Sequence, residues 1–381
     1  MDMKLLIKTS LLIVSGLAVL TAQAATVVPD ARGNGMGNAG VTTADYVLAP
    51  FYNPALVAVY RDSDSFGILF PGIGARIRDT DKTLETVDDL QDVIKQYEAN
   101  SSTSGLEAQI NSYLDQLSDD KPLGVNGGVI ASVALPLDAF STNLFLRGYA
   151  DVIAKTDISS DGNTQTRYEN SRVDMIAFGY SEFGVAIAKR VSISGQDVSL
   201  GISPKFQTLR TYKQALTVEN FDLSDYDQSE TKENAFNLDL GAVWFYHQFR
   251  AGIAIKDLFS QELQTLDISG VSTYKLDTQA TVSGAYALDY FVATVDWDLT
   301  KQERFTDQND DTQFLRFGIE GNAMGWAQLR LGYEIDLEDT LDNSITAGVG
   351  VSPGDLVSLD LAGSYAGDNQ YGVSGNLSFT F

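Results

Sequence analysis

Apolar and polar side chains alternate, position by position, over most of the chain after residue 124. Within residues 326–336 the apolar residues occupy odd positions, and glycine or charged residues fill most of the even positions between them. Residues 289–300 repeat the pattern, with aspartates among the polar positions. Because successive side chains of a β-strand point to opposite faces, each segment has one apolar and one polar face. The chain is therefore predicted to be all-β.

The alternating segments predict about fourteen antiparallel strands, an even number that suits a closed bacterial barrel. Charged residues on the polar face suit a watery interior and would be costly in contact with lipid. We therefore predict a transmembrane antiparallel β-barrel. The predicted strands span residues 64–78, 124–136, 141–157, 172–189, 197–213, 234–247, 248–258, 274–288, 289–300, 312–322, 326–336, 343–352, 355–366 and 371–381.

The connections between the predicted strands fall into two classes. Every second connection, beginning with residues 79–123, is long or polar, whereas those in between are only a few residues long. Outer-membrane barrels combine long outer loops with short periplasmic turns. A soluble sandwich or propeller has no reason to sort its connections in this way. Pro71, inside the first strand, predicts an irregular or bulged strand.

The last eleven residues, 371–381, alternate regularly and end on an aromatic residue. Tyr371, Phe379 and Phe381 lie on the apolar face. A terminal strand with an open edge would invite aggregation of a soluble protein. We therefore expect this strand to pair with the first strand, 64–78, and to close the barrel with its apolar face towards lipid.

Aromatic residues occur near the ends of several predicted strands. Transmembrane barrels carry aromatic girdles at both membrane interfaces. The predicted girdle residues include Tyr149, Tyr168, Tyr180, Tyr286, Tyr290, Trp326 and Tyr333.

Residues 80–122 interrupt the strand pattern with two segments in which apolar residues recur at helical spacing, 83–99 and 106–117. This pattern predicts a helical hairpin inserted in the first outer loop. Its apolar stripes need a partner and could form an external capture surface.

The first 24 residues have the features of a secretory signal peptide. Lys4 and Lys8 flank the start of an apolar run, and Ala22-Gln23-Ala24 provides a small-residue cleavage site. The alternative is a transmembrane helix, but the apolar run is short for a bilayer. Residues 1–24 are therefore assigned to the signal, and residues 63–381 to the barrel.

Residues 25–62, between the signal and the barrel, are rich in glycine and lack strand periodicity. Glycine gives a compact, turning backbone, and Asn-Pro adds a rigid turn. This segment is either a linker or leader, or a periplasmic plug that folds into the lumen. Its apolar content is too high for a free linker in water, which favours the plug. The predicted plug residues are Gly35, Gly37, Asn53, Pro54 and Ala55.

Composition excludes several classes of function. The formal net charge is −25, and nucleic acid is not an expected partner because phosphate binding needs clustered Lys and Arg. There are no cysteines, which excludes disulfides, thiolate metal sites and a Cys nucleophile. We interpret the acidic residues as solvated loops and a polar lumen, with cation binding as the alternative.

Few residues are candidates for catalysis or metal binding. His247 is the only histidine and falls at a predicted tight turn, so no catalytic residue is assigned and the protein is not expected to be an enzyme. Residues 307–311 and 336–342 are rich in oxygen ligands of the kind that calcium takes. Neither has the EF-hand spacing, which favours solvated loops. No cofactor or metal is predicted.

Two families resemble this sequence. Residues 31–41 and 51–55 resemble the N-terminal hatch of FadL-type long-chain fatty-acid transporters of the bacterial outer membrane. Nearly the whole mature chain is similar to TraF-type outer-membrane proteins, named for conjugal plasmid transfer. The segments that carry the second resemblance are 295–300, 314–320, 325–333 and 346–353.

The resemblance implies a fourteen-stranded, FadL-like barrel in the bacterial outer membrane. It also implies that Tyr371, Phe379 and Phe381 form an assembly signal for the barrel-assembly machinery. The leading functional hypothesis is a barrel that binds or passes a hydrophobic small molecule, with outer-membrane lipid around it. The alternative is a non-transporting surface or assembly protein associated with conjugal transfer.

Overall fold

A computed structural model describes residues 28–100, 104–137, 139–222, 229–268, 270–308, 310–323 and 325–381. The predicted signal peptide, 1–24, lies outside the described residues. Fourteen antiparallel strands form one closed barrel, and two further strands, β8 and β9, pair only with each other. The strands are β1 (Gly67–Arg78), β2 (Leu123–Leu135), β3 (Ser141–Asp157), β4 (Arg172–Ile193), β5 (Gln196–Thr217), β6 (Thr231–Tyr246), β7 (Phe249–Lys256), β8 (Gln261–Gln264), β9 (Thr273–Leu276), β10 (Gln279–Leu288), β11 (Phe291–Asp298), β12 (Phe314–Ala323), β13 (Ala327–Asp336), β14 (Ser344–Val351), β15 (Val357–Gly367) and β16 (Gln370–Thr380). The predicted fold class is confirmed.

The barrel closes between its first and last strands, as the alternation of the last strand predicts. β16 pairs with β1 from Gly67 opposite Thr380 to Arg78 opposite Gln370. The register of β1 shifts between Leu69 and Gly72 against both of its neighbours. One extra residue is accommodated there, so the bulge predicted at Pro71 is confirmed.

The two faces of the barrel wall differ as the sequence pattern indicates. Large apolar side chains are exposed on the outside, whereas polar and charged side chains are buried on the inside. Such an exterior suits contact with lipid. Outward examples are Leu144, Leu146, Phe206, Leu329, Leu331, Val349 and Leu361; inward examples are Arg147, Glu182, Lys205, Asp296, Arg316, Glu334 and Asn376.

Connections at the two ends of the barrel differ in length. We call the end with the long connections the outer end and the opposite end the inner end. The inner turns lie at 136–140, 194–195, 247–248, 289–290, 324–326 and 352–356. The wall is also uneven in height, since β4 and β5 have 22 residues each, whereas β7, β11 and β14 have 8.

The helices lie in the N-terminal segment and in the outer connections. They are α1 (Ala31–Gly35), α2 (Ala49–Tyr52), α3 (Thr83–Ala99), α4 (Leu106–Leu117) and α5 (Thr164–Asn170), with 3-10 turns at Pro54–Ala58, Val218–Asn220 and Pro353–Asp355. The helical hairpin α3–α4 lies between β1 and β2, in the first outer loop, as predicted. None of the helices among the described residues is both long and apolar enough to cross a bilayer.

The apolar stripes of the helical hairpin find their partner within the protein. Leu90, Ile94, Ile110 and Leu114 are fully buried in one cluster. The cluster also contains residues of β2, β3, β4 and α5, including Leu123, Ala154, Met175 and Tyr168. These stripes are therefore covered in this conformation and do not present an open capture surface.

The predicted strand 274–288 is wrong, because it joins two strands of different sheets. Residues 273–276 form β9 and pair with β8, which lies in the predicted loop 259–273. β10 begins only at Gln279 and pairs with β7 and β11. The buried positions are even-numbered in β9 and odd-numbered at the start of β10, although the apolar residues keep the even positions throughout.

Three predicted girdle residues are also misplaced. Tyr149 and Tyr180 are buried on the inner face of the wall, and Tyr168 is buried on α5 rather than on a strand. Tyr149 and Tyr180 share the phase of lumen-facing neighbours on their strands, which the frequency of aromatic residues alone does not show. The remaining four are exposed: Tyr286, Tyr290, Trp326 and Tyr333.

Candidate functional site

The lumen at the inner end of the barrel is filled by residues 28–58, which we call the plug. Almost every side chain of this segment is buried. α1 packs against β13, β14, β15 and β16, and the turn at Pro54–Ala58 packs against β3, β4, β5 and β6. The plug therefore spans the lumen and reaches opposite sides of the wall.

The first half of the plug is held by buried charges. The Arg32 guanidinium donates two hydrogen bonds of 3.0 Å to the Glu320 carboxylate on β12. Arg330 of β13 donates to the same carboxylate at 2.6 Å and to Asp360 of β15 at 2.5 Å. Bidentate pairing of this kind fixes orientation as well as charge. The plug thus completes a charge network that begins in the wall.

Asp30 begins α1 and carries a carboxylate deep within the plug. It accepts the Gly33 N–H at 2.9 Å, as an N-cap does, and also accepts the Tyr52 hydroxyl. Burial raises the pKa of Asp30 above its usual value, although both of these hydrogen bonds oppose the shift. Burial likewise raises the pKa of Tyr52 well above its usual value. The Asp30–Tyr52 contact ties the two halves of the plug together.

Gly35 and Gly37 lie where the plug backbone comes closest to the wall. Gly37 has φ +66°, and a Cβ there would be 2.9 Å from the Tyr333 backbone. Its N–H donates to the Thr346 hydroxyl at 2.9 Å. A Cβ on Gly35 would be 3.0 Å from the Cα of Gly348. Both glycines are therefore required by close backbone approach, and Gly37 also by its left-handed conformation.

Asn53 joins the plug to the opposite wall. Its side-chain amide donates to the Val41 carbonyl at 2.9 Å and to the Ile253 carbonyl of β7 at 3.3 Å. Its Oδ1 accepts the Ala55 N–H at 3.0 Å, and thereby caps the 3-10 turn that starts at Pro54. The Ala55 carbonyl accepts the Ser199 hydroxyl of β5 at 2.6 Å.

The second half of the plug rests mainly on apolar packing. Phe51, Leu56 and Val57 are fully buried in a cluster that includes Leu69 and Phe145 of the wall. The rings of Phe51 and Phe145 meet edge to face with centroids 5.7 Å apart. Full burial of each such side chain contributes roughly 1.5–3 kcal/mol.

The wall residues that contact the plug were not predicted from the sequence. Several wall glycines face the lumen, and a Cβ on any of them would overlap the plug. The sequence signal is a glycine at a lumen-facing position of an alternating strand. A lumen filled only with water gives no reason for glycine at such a position. These glycines are Gly201, Gly241, Gly252, Gly318, Gly332 and Gly348.

The outer half of the lumen holds a second inward-folded segment. The connection 257–278, which carries β8 and β9, packs with Phe305 against inward-facing residues of the tall wall. Phe178 of β4 and Tyr274 of β9 stack in parallel, with centroids 3.5 Å apart and planes at 8°. The other members of this cluster are Tyr149, Ile176, Tyr180, Leu209, Leu263 and Leu276.

A buried ion cluster lies beside these aromatic residues. The Lys205 ammonium is 2.9 Å from Asp239, 2.8 Å from Asp257 and 3.4 Å from Glu182. Gln207 donates to both Glu182 and Asp257. Asp257 is the first residue of the inward-folded connection, so this cluster fixes one end of that segment to the wall.

A small cavity lies between the plug and the wall. It has a volume of about 10 Å³, is lined by Pro29, Asn34, Arg76 and Tyr149 among others, and is large enough for about one water molecule. This conformation leaves no room there for an organic ligand.

The remaining candidate residues have structural settings. His247 is exposed at the turn between β6 and β7, with φ 52° and its ring against Tyr246. Asp336 caps its own loop by accepting the N–H groups of Thr340 and Leu341 at 2.9–3.1 Å, and it also accepts the Gln313 N–H at 3.0 Å. In the part of the chain that the structure describes, no group of three or more His, Cys, Asp or Glu is placed to hold a metal ion.

A fourteen-stranded barrel filled by its own N-terminal segment is the architecture of the FadL-like class of outer-membrane barrels. A family described as "F plasmid transfer operon, TraF, protein" matches residues 50–298. The chain therefore belongs to this TraF family. A search of curated protein sequences found no match.

Solved structures agree on the fold. The chain is similar to the Ralstonia pickettii toluene transporter TbuX, with TM-score 0.55 and 12% identity over 92% of this chain and 98% of that one. It resembles the P. putida toluene transporter TodX, with TM-score 0.50 and 11% identity over 92% and 98%. A Pseudomonas aeruginosa FadL homologue gives 0.51 and 12% over 95% and 98%. The predicted resemblance to both families is confirmed.

Proposed function

We propose that the protein is an outer-membrane barrel that binds or passes hydrophobic small molecules and is closed in this conformation by its plug. The observation that carries the proposal is the N-terminal segment folded into the lumen of a FadL-like barrel. TbuX and TodX, which share that fold, are described as toluene transporters. The aromatic cluster of the outer lumen supports the proposal, because it supplies apolar surface along an otherwise polar interior.

The closed conformation implies that passage needs a rearrangement of the plug. Removing residues 26–58 takes away the segment that fills the inner lumen and should raise ion conductance in planar bilayers. Conductance equal to that of the intact protein would contradict the plug role. The matched control is deletion within the exposed end of the α3–α4 hairpin, which leaves the lumen unchanged.

Ligand binding is tested separately from conductance. Protein purified from native outer membranes should carry co-purified hydrophobic compounds, identified by lipid extraction and mass spectrometry. A barrel of similar size without a FadL-like plug, prepared in parallel, reports compounds that adhere to any barrel. Equal recovery from both proteins would contradict hydrophobe binding.

The alternative function is that of a non-transporting surface or assembly protein associated with conjugal plasmid transfer. The family description and the filled lumen favour it. On this reading the outer loops bind another protein, and plasmid transfer between cells falls when the gene is deleted. Normal transfer together with co-purified hydrophobes would favour the channel.

We also propose that the last strand directs assembly. Tyr371 and Phe381 are exposed, and the Phe381 N–H donates to the Phe66 carbonyl of the segment before β1 at 2.9 Å. Tyr371, Phe379 and Phe381 would be read by the barrel-assembly machinery. Deleting Phe381 should lower the amount of heat-modifiable protein in the outer membrane. Normal amounts after the deletion would contradict this role.

A further inference from the structure

Two outer connections, 257–278 and 299–313, fold together as one unit, which we call the outer cap. The Lys275 N–H donates to the Arg304 carbonyl at 2.9 Å, and the Thr306 N–H donates to the Thr273 carbonyl at 3.0 Å. The Lys275 ammonium lies 2.7 Å from Glu303. These contacts extend the β8–β9 ribbon by a third segment, so the two connections move together.

The outer cap fills the outer lumen with aromatic rings. Tyr274 stacks on Phe178 of the wall, and Phe305 meets Tyr274 edge to face at 5.1 Å. Leu276 is also buried in this cluster. Parallel rings placed directly over each other gain less than offset or edge-to-face rings do, because of their quadrupoles. Another flat apolar ring stacked on Phe178 would therefore gain at least as much stacking energy as the ring of Tyr274 does.

Apart from the buried Asp257–Lys205 pair at its first residue, the cap is held by contacts of a kind that can be released. A two-stranded ribbon is marginally stable by itself, so β8 and β9 depend on the wall. Polar anchors come from the ends of side chains: Lys213 donates to the Gly270 carbonyl at 2.8 Å, and Arg304 reaches Asp151 at 2.7 Å. Leu266, Ile268 and Val271 of the cap are exposed.

We propose that Tyr274 occupies a ligand site on the face of Phe178, and that a flat apolar ring enters the barrel by replacing it and releasing the outer cap. The wall side of the site is formed by Tyr149, Ile176, Phe178, Tyr180 and Leu209. The cap closes the outer lumen as the plug closes the inner lumen. This inference rests on the proposed function and names the ligand class and the order of opening.

The test uses the absence of cysteine in the chain. Leu276→Cys places a thiol in the buried cluster, where the native side chain is 2% exposed. Val271→Cys places the matched thiol on the exposed part of the same cap, where the native side chain is 49% exposed. Labelling by a membrane-impermeant maleimide on isolated outer membranes then measures opening of the cap.

Three results are expected. Leu276→Cys should react about tenfold or more slowly than Val271→Cys, since it reacts only after local opening. Adding Tyr274→Ser should raise the rate at Leu276→Cys by about tenfold, whereas Tyr274→Phe, which keeps the stacked ring, should raise it less. Naphthalene should raise the rate in the protein with Tyr274, and cyclohexane should do so less.

The proposal is overturned if both thiols react equally fast in correctly assembled, heat-modifiable protein, because the cap would then not be seated. It is also overturned if Tyr274→Ser leaves Leu276→Cys protected in correctly assembled, heat-modifiable protein. If naphthalene has no effect, the ligand site is overturned. The channel proposal would survive that result, because it depends on co-purified compounds and plug deletion.

Discussion

The plug and the outer cap both fill the barrel, but different forces hold them. The first half of the plug meets the wall through buried ion pairs, such as Arg32 with Glu320. Beyond its anchor at Asp257, the cap meets the wall through a few side-chain polar contacts and through stacked rings, such as Tyr274 on Phe178. A hydrophobic ligand can replace an aromatic contact, because both gain free energy by burying apolar surface. It cannot replace a guanidinium, because the carboxylate would be left buried without a partner.

This difference assigns the two segments different roles. On this proposal the cap would respond to the chemistry of the ligand, whereas the plug would keep its position until charged contacts are exchanged. A ligand in the outer lumen would then release the cap without opening the inner end, so that the barrel would stay closed to ions while it loads.

The largest effect is expected from the charge network under α1. Glu320→Gln leaves Arg32 and Arg330 close together without the carboxylate that accepts from both. Removing one partner of a buried pair typically costs about 3–5 kcal/mol. We expect a loss of that order in the free energy of unfolding in urea, together with higher ion conductance. Lys95→Gln, in an exposed pair with Asp92, is the control and should cost less than about 1 kcal/mol. A conductance unchanged by Glu320→Gln would contradict a charge-held plug.

A smaller loss is expected where wall and plug touch backbone to backbone. Gly332→Ala places a Cβ 2.1 Å from the Gly37 nitrogen, so the plug turn must move. Overpacking of this kind costs about 1–3 kcal/mol. Gly284→Ala, where the Cβ meets no atom within 4 Å, is the matched wall control and should leave unfolding in urea unchanged. Equal effects of the two substitutions would argue that the plug does not press on the wall.

Asn53→Ala removes the cap of the 3-10 turn and the donors to the Val41 and Ile253 carbonyls. Loss of a buried polar partner costs about 1–3 kcal/mol, and Asn53→Ser, which keeps a short side-chain acceptor, should recover part of it. Thermal unfolding and limited proteolysis near residue 58 report the change. If Ala and Ser behave alike, the capping acceptor contributes nothing.

Much of the fold could be predicted because the alternation has period two over long stretches, and each strand of a barrel obeys it. Leu329, Leu331 and Tyr333 lie outside and Arg330 and Glu334 inside, as their phase requires. The failure at 274–288 has no signal in the same pattern. Tyr274, Leu276, Val282 and Tyr286 all keep the even phase, so the sequence reads as one continuous strand. Only burial changes at the break, because the apolar face of β9 lies inside the barrel and that of β10 faces outward.

The site is less accessible from sequence. Gly37 and Asn53 can be singled out, since glycine and Asn-Pro have conformational meaning. Their partners cannot, because Arg32 and Glu320 are 288 residues apart and no local rule pairs them. The outer cap cannot be predicted from the sequence for a further reason. Tyr274 and Leu276 look like ordinary strand residues, and only the closed topology shows that their strand lies inside the barrel.

The smallest predicted effect is a pH dependence of the unfolding free energy that arises at Asp310 of the outer cap. Burial raises the pKa of Asp310 to about 6, although the Arg304 guanidinium opposes the shift. A raised carboxyl pKa means that the folded protein binds this proton more tightly than the unfolded chain does. The charged form therefore costs stability above pH 6, and this cost is relieved as the pH falls through 6. Arg304, Asp151 and the Phe305 N–H are the groups that face it.

Asp310→Asn should remove this dependence. As the pH falls from 7.5 to 5, the unfolding free energy of the native protein should rise relative to that of the variant. Measuring the difference rather than the absolute value cancels the other carboxyl groups that titrate in this range. A difference that is the same at both pH values would show that Asp310 has an ordinary pKa. In that case the carboxyl group of Asp310 is open to water, and its protonation does not affect how firmly the cap is seated.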